Sequence, residues 1–241
     1  MIGDEKTILV NEVFGNTVQG EGPNIGKPSV FLRVAACNQH CVWCDTYYTW
    51  DWQRVNKSDE VHPMTASEVI ERLREAHLGY EVGKFNLVIS GGEPMLQQQR
   101  LQPLLRSITR TSMFREIELE TAGTIAPVPG FADYIDQFNV SLKLEHSGNP
   151  KSLRYNPKAI DMIQNTGKAV WKFVAQKSED FAEIDEIVEE HELFPIYVMP
   201  EGIDTETIGR HALAILPEVL RRGWTLTPRL HVQMWGQERG H

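Results

Sequence analysis

The chain has 241 residues, 41% of them hydrophobic, and a formal net charge of −9. That composition suits one globular core, and no apolar run reaches the roughly 20 residues that a membrane-spanning helix needs. The acidic balance argues against nucleic acid as a partner, because a phosphate footprint needs clustered Lys and Arg.

In chain order, apolar strand candidates are Ile8–Phe14, Ser29–Ala35, Phe85–Ser90, Glu116–Glu120, Tyr134–Val140, Ala169–Val174, Pro195–Met199 and Leu226–Gln233. Helix candidates lie between them. Thr65–Leu78 opens on a capping box, Thr65-Ala66-Ser67-Glu68, and carries Val69, Ile70, Leu73 and Ala76 on one face. Met95–Arg110 is a second, Phe181–Glu190 a third with acidic residues in its first turn, and Asp204–Arg222 a fourth that Pro217 is expected to kink or split. The acidic run Ser178–Glu192 reads as a solvated helix face. Alternating strands and helices predict an α/β fold of parallel βαβ units, in a doubly wound sheet or a barrel. Either one gathers its ligands at the carboxyl ends of the strands. Without repeats, low-complexity stretches or a long linker, residues 1–241 read as a single domain. No apolar signal segment precedes Asn11, so a cytoplasmic location is expected.

Cys37, Cys41 and Cys44 are the only cysteines, and they follow the second strand as C-x3-C-x2-C. Three thiolates on one loop can hold three corners of a 4Fe–4S cube, leaving one iron open to a non-protein ligand. Inert packing cysteines do not explain why all three share one short window. A structural zinc site would want a fourth ligand, for which His62 is a candidate and His40, next to Cys41, is badly placed. An odd number of cysteines argues against disulfides. The spacing resembles the radical S-adenosylmethionine superfamily, in which the open iron chelates the amino and carboxylate groups of that cofactor.

Other strand ends carry polar residues. Gly91-Gly92-Glu93-Pro94 follows the third strand and resembles the superfamily's GGEP turn, which implies that Gly92 and Glu93 meet the cofactor's amino group. Glu120 and Thr121 end the next strand and would face the same cleft, with Glu120 expected to bind the cofactor; Ser141-Leu142-Lys143 ends the one after, where a hydroxyl and an ammonium can meet ribose and carboxylate. Each has a plainer alternative: a Gly-Gly turn, ordinary strand-end polarity, a surface lysine.

The amino-terminal segment narrows the resemblance. Glu12 through Gly22 contains Gln19-Gly20-Glu21-Gly22, Asp45-Thr46 follows the last cysteine, and Trp235-Gly236-Gln237-Glu238-Arg239-Gly240 lies near the carboxyl terminus. In combination these resemble the 7-carboxy-7-deazaguanine synthases over nearly the whole chain. The resemblance implies an incomplete β/α barrel, homodimeric, acting in 7-deazapurine (queuosine precursor) synthesis. It implies a lyase that converts 6-carboxy-5,6,7,8-tetrahydropterin to 7-carboxy-7-deazaguanine with ring contraction and loss of ammonia. The implied cofactors are a 4Fe–4S cluster, S-adenosylmethionine and Mg2+, with a flavodoxin- or ferredoxin-type electron donor.

By motif position, Thr46 falls on the magnesium ligand and Arg33 on the substrate-carboxylate arginine. Val18, Gln19, Gly20 and Glu21 fall on the loop that reads the pterin edge, through backbone groups. Ser90 falls on a substrate-contacting hydroxyl, and Met199, Pro200, Glu201 and Gly202 fall where the family wraps adenine. A structural ion pair competes for Arg33, and a simple turn role for Thr46. Leu142 stands where the family's S-P-K element has proline, which removes a fixed φ from that loop. Two other readings stay open: a different radical enzyme, such as a glycyl-radical activating enzyme, and a zinc-stabilised binding module.

Overall fold

The computed structural model describes residues 7–77, 81 and 83–241. Its strands are β1 (Ile8–Val18), β2 (Pro28–Val34), β3 (His62–Met64), β4 (Asn86–Gly91), β5 (Ile117–Thr121), β6 (Gln137–Leu142), β7 (Ala169–Ala175), β8 (Ile196–Pro200) and β9 (Thr225–Leu226). They form one sheet in the order β3-β1-β2-β4-β5-β6-β7-β8-β9. From β2 to β9 every pairing is parallel, and only β1 runs antiparallel, to β2 and to β3. The edge strands β3 and β9 do not pair with each other, so the sheet is open: an incomplete β/α barrel, as expected.

The helices are α1 (Lys57–Glu60), α2 (Ala66–Ala76), α3 (Gln98–Arg110), α4 (Lys151–Arg154), α5 (Pro157–Gln164), α6 (Phe181–His191), α7 (Thr205–Arg222) and α8 (Leu230–Trp235). The capping box forms at α2 as the sequence predicts: Thr65 caps the Glu68 amide, and Glu68 reaches back to the Thr65 amide. Leu78, the expected end of that helix, lies outside the described residues.

Strand alternation builds the two sides of the sheet. Successive side chains point to opposite faces. One set, including Leu87, Ile89, Leu119, Phe138, Val140, Trp171, Phe173 and Val198, belongs to the single core packed under the helices. The other set is polar yet mostly buried: Asn86, Ser90, Glu118, Asn139, Ser141 and Lys172 are each less than 9% exposed. These buried polar groups satisfy one another in part, as Asn86 and Asn139 donate to Glu118.

Three expectations need correction. Pro217 does not split the fourth helix: α7 runs unbroken from Thr205 to Arg222. Pro217 and Leu213, whose carbonyl loses its intrahelical donor, both sit on the exposed side, where water replaces the bond. The expected strand Leu226–Gln233 shrinks to Thr225–Leu226 and is followed by α8. Pro228 cannot donate to a sheet ladder, so pairing stops before it. The fifth expected strand begins later, at Gln137, because Ala132–Tyr134 forms a 3-10 turn, and it runs on to Leu142.

Candidate active site

The strand ends surround one cavity of about 590 Å³, a size suited to a small-molecule ligand. Cys37, Cys41, Cys44 and Thr46 line it from the loop after β2. Val18, Gln19, Gly20 and Glu21 line it from β1 and the turn that follows. Arg33, Ser90, Gly92, Glu120, Ser141, Lys143, Met199, Glu201 and Gly202 line it from the parallel strands and their ends. Of the residues assigned to cofactor or substrate, Glu93, Leu142 and Pro200 do not line it.

Glu93 is fully buried and spends its carboxylate on the protein itself. It accepts hydrogen bonds from the amides of Ala122 at 2.7 Å and Met95 at 3.0 Å, and from the Thr121 hydroxyl at 2.8 Å. Burial nevertheless raises its pKa, against those donors. It is therefore a strut that fixes the turn after β4 to the end of β5. Gly92 has a different duty. A Cβ there would lie 2.0 Å from the Ala36 carbonyl oxygen, so only glycine lets this turn press against the start of the cysteine loop.

The thiols lie among donors. The Gln39 amide is 3.4 Å from Cys37 Sγ, Asn149 Nδ2 is 3.2 Å from Cys41 Sγ, and Trp50 Nε1 is 3.3 Å from Cys44 Sγ. Burial pushes the Cys37 thiol up to about 12 and the Cys41 thiol upward as well; a coordinating metal reverses this by binding the thiolate. Among the described residues no three His, Cys, Asp or Glu side chains converge as ligands of one ion would. A cube spreads three thiolates over three irons and does not need that convergence. His62 lies on β3 and does not line the cavity. The donor set thus fits an iron–sulfur cube.

Arg33 keeps both of its proposed partners in play. Its Nε donates to Glu12 at 2.7 Å, and its guanidinium lies 5.5 Å from the Phe14 ring centroid and 5.9 Å from that of Tyr48. The structural ion pair is real, and it occupies only one edge of the fork. Nearby, Ser90 Oγ is buried without a hydrogen-bond partner among the described residues. An orphan hydroxyl at a cavity wall is a fitting ligand donor.

Below these residues runs a charge network that the sequence reading missed. Lys172, 5% exposed at its side chain, reaches Glu21 at 2.5 Å and Glu120 at 3.0 Å. Arg229 binds the other Glu21 oxygen at 3.2 Å, the Gly202 carbonyl and Asp45. Burial works against the Glu21 charge, but Lys172 and Arg229 overcome it and hold the carboxyl well below the usual range. Glu120 is shifted the other way: burial raises it, and Lys172 only partly compensates. His231 is lowered by burial. Gln19 is consumed by the scaffold, since its side chain donates toward Glu118 and Glu120 and accepts from the Gly20 amide. Its own amide and carbonyl bond Lys27 and Gly26. The Gln19 backbone is thus committed to the turn, while the Glu21 side chain lines the cavity. Gly20 lets α8 approach: a Cβ would stand 2.2 Å from His231 Nδ1.

Residues 18–164 match the family of 4Fe-4S single cluster domains. The 7-carboxy-7-deazaguanine synthase of Pyrobaculum aerophilum is 32% identical over 235 residues, covering 97% of each chain. The chain belongs to the 7-carboxy-7-deazaguanine synthase family. Its relative in Bacillus subtilis is 26% identical and spans 98% of this chain and 99% of its own. Among solved structures, QueE from Escherichia coli superposes with a TM-score of 0.68 at 23% identity, covering 93% of this chain and 95% of that one. The likeness shows a shared fold. SuiB from Streptococcus suis shares it more loosely, with a TM-score of 0.54. The match to a 4Fe-4S cluster domain favours an iron–sulfur cluster over zinc for this chain. Among the described residues no helix is long and apolar enough to cross a membrane.

Proposed function

We propose that this chain is a radical S-adenosylmethionine lyase that converts 6-carboxy-5,6,7,8-tetrahydropterin to 7-carboxy-7-deazaguanine with loss of ammonia. The observation that carries the reading is kinship to the named synthases over 97% of the chain joined to one cavity that holds the cysteine loop, Arg33, Ser90 and the carboxylates of Glu21 and Glu120. When bound, the cluster and S-adenosylmethionine supply the electron and the hydrogen-abstracting group.

The chain's own residues do the rest. Ser141 and Lys143 form one polar corner, with Lys143 Nζ 2.9 Å from the Ser141 hydroxyl and carbonyl, where a cofactor carboxylate and ribose would sit. Met199, Glu201 and Gly202 supply the wall for adenine. Arg33 offers its free edge to the substrate carboxylate, and Ser90 offers its unpaired hydroxyl. Glu21 and Glu120 accept from the N–H edge of the pterin ring. Thr46, whose hydroxyl lies 3.6 Å from Cys44 Sγ, would offer one neutral oxygen to Mg2+, a hard cation that takes oxygen ligands. The remaining assignments are a single catalytic domain, a symmetric homodimer, a cytoplasmic location and a flavodoxin- or ferredoxin-type donor.

The test is anaerobic turnover of reconstituted protein with the carboxylated tetrahydropterin, read by product mass. Arg33→Ala should weaken substrate binding by about 1.5–3 kcal/mol, the worth of a charge-assisted hydrogen bond, and Thr46→Ala should flatten the response to added magnesium. Cofactor cleavage without the deazaguanine product, under conditions that support a known synthase, would remove the substrate assignment.

A further inference from the structure

Two of the three donors beside the thiols are side chains brought in from outside the cysteine loop. A backbone amide two residues beyond Cys37 is an ordinary consequence of a tight turn. Trp50 and Asn149 are not. Trp50 lies six residues beyond Cys44, and Asn149 lies 108 residues beyond Cys41, yet both place a nitrogen within 3.3 Å of sulfur.

Their orientations are fixed. An amide can be placed either way round in principle, but Asn149 Oδ1 accepts the His40 amide at 2.9 Å. Turning it over would set two donors face to face. The amide nitrogen also donates to Ser147 Oγ at 3.2 Å, and Asn149 is only 6% exposed. The indole nitrogen of Trp50 is a donor and nothing else. Its ring is clamped against His40, with centroids 4.7 Å apart and planes 13° from parallel.

We propose that Trp50 and Asn149 are positioning residues that set the reduction potential of the cluster. Hydrogen bonds to the ligating sulfurs are one of the determinants of that potential. An external donor adds one electron to the cube, and no bond to sulfur forms or breaks. The added electron raises the negative charge on the thiolates, so an N–H pointing at sulfur stabilises the reduced form more than the oxidised one. Trp50 at Cys44 and Asn149 at Cys41 therefore hold the potential less negative than the same loop would without them. The inference rests on the cluster and not on the pterin.

The measurement uses the full chain, reconstituted anaerobically without substrate. The cluster is titrated with titanium(III) citrate and mediators, and the paramagnetic signal of the reduced state is followed. Trp50→Phe keeps the ring and its stack on His40 and removes only the donor. Its midpoint should move negative, by 59 mV if the reduction equilibrium falls about tenfold. Asn149→Asp keeps an oxygen for the His40 amide and replaces the donor with an acceptor, so it should move the midpoint further in the same direction. Trp52→Phe makes the same chemical change beside Lys57, whose Nζ is 5.8 Å from that ring, and should match the parent. Parental midpoints in Trp50→Phe and Asn149→Asp, at full iron and sulfide content, overturn the proposal. If one of them takes up no cluster, the other decides. Loss of the cluster from both also overturns it, because the donors would then assemble the loop and not tune it. None of these outcomes bears on the substrate assignment.

Discussion

Replacing Lys172 with Met tests the charge network most directly. The substitution leaves Glu21 and Glu120 facing each other with no ammonium between them, and removing one member of a buried ion pair costs about 3–5 kcal/mol. Lys172 is 5% exposed while Glu21 and Glu120 are 15% and 22% exposed at their side chains, so screening places the loss toward the lower end of that range. A ceiling comes from the alternative open to the protein: Glu120, already raised by burial, can take up a proton. At pH 7 that costs about 3.4 kcal/mol from the ordinary glutamate value of 4.5, and at pH 5 only about 0.7 kcal/mol. For a chain of this size about 3–3.4 kcal/mol corresponds to a fall in Tm of roughly 6–14 °C. Thermal unfolding of the cluster-free, reduced protein should show that fall at pH 7 and a much smaller one at pH 5. Adding Glu120→Gln should restore part of it at pH 7. A Lys172→Met protein within about 2 °C of the parent at pH 7, or equally destabilised at both pH values, would refute the reasoning.

Gly92→Ala should lower cluster occupancy and Tm together, because the new methyl collides with backbone at Ala36; iron content equal to the parent's would show that the turn can shift. Glu21 is held below the ordinary glutamate value of 4.5, so its contribution is complete above that pH and fades as pH falls toward its folded value. The Tm advantage of the parent over Glu21→Gln should accordingly be largest near neutrality and shrink below pH 4.5; an advantage that grows on acidification contradicts the pairing. Arg239 lies 3.8 Å over the Tyr48 ring and forks onto Glu60 at 2.9 and 3.1 Å, but its side chain is 44% exposed. Arg239→Ala should cost no more than about 1 kcal/mol while releasing Gly236–His241 to faster hydrogen exchange, and unchanged exchange there would show that the tail is held by other contacts.

Much of the candidate site was legible because the residues that line the cavity sit where strand periodicity breaks. The cysteine window, the Gly-Gly turn and a lone arginine in an apolar strand all violate the local pattern. Lys172 violates it in the same way, between Trp171 and Phe173, and the argument applied to Arg33 would have found it. Arg229 and His231 carried no such signal. Leu226, Leu230, Val232 and Met234 alternate enough to resemble a strand, and only the proline at 228 marks the change to a helix. Glu93 presents a different difficulty. Sequence places a carboxylate beside a ligand turn, but the choice between binding a ligand and binding nearby amides depends on where Ala122 and Met95 bring their N–H groups. α5 was missed although Asn156-Pro157 is a start signal: the Asn156 side chain caps the Ala159 amide.

The link between Asp45 and Arg229 joins positions 184 residues apart. At about 5–20 residues per second, a ribosome adds that stretch in roughly 10–40 s. For all of that time the cysteine loop is outside the exit tunnel or on its way out, without the guanidinium that ties Asp45 and Glu21 together, and Asn149 also arrives late. The order of synthesis therefore separates the birth of the thiols from the completion of their surroundings. Metal delivered early meets an open loop exposed to oxidants, whereas metal delivered after release meets a finished pocket. The last contacts around the cysteine loop therefore close only after nearly the whole chain has been made.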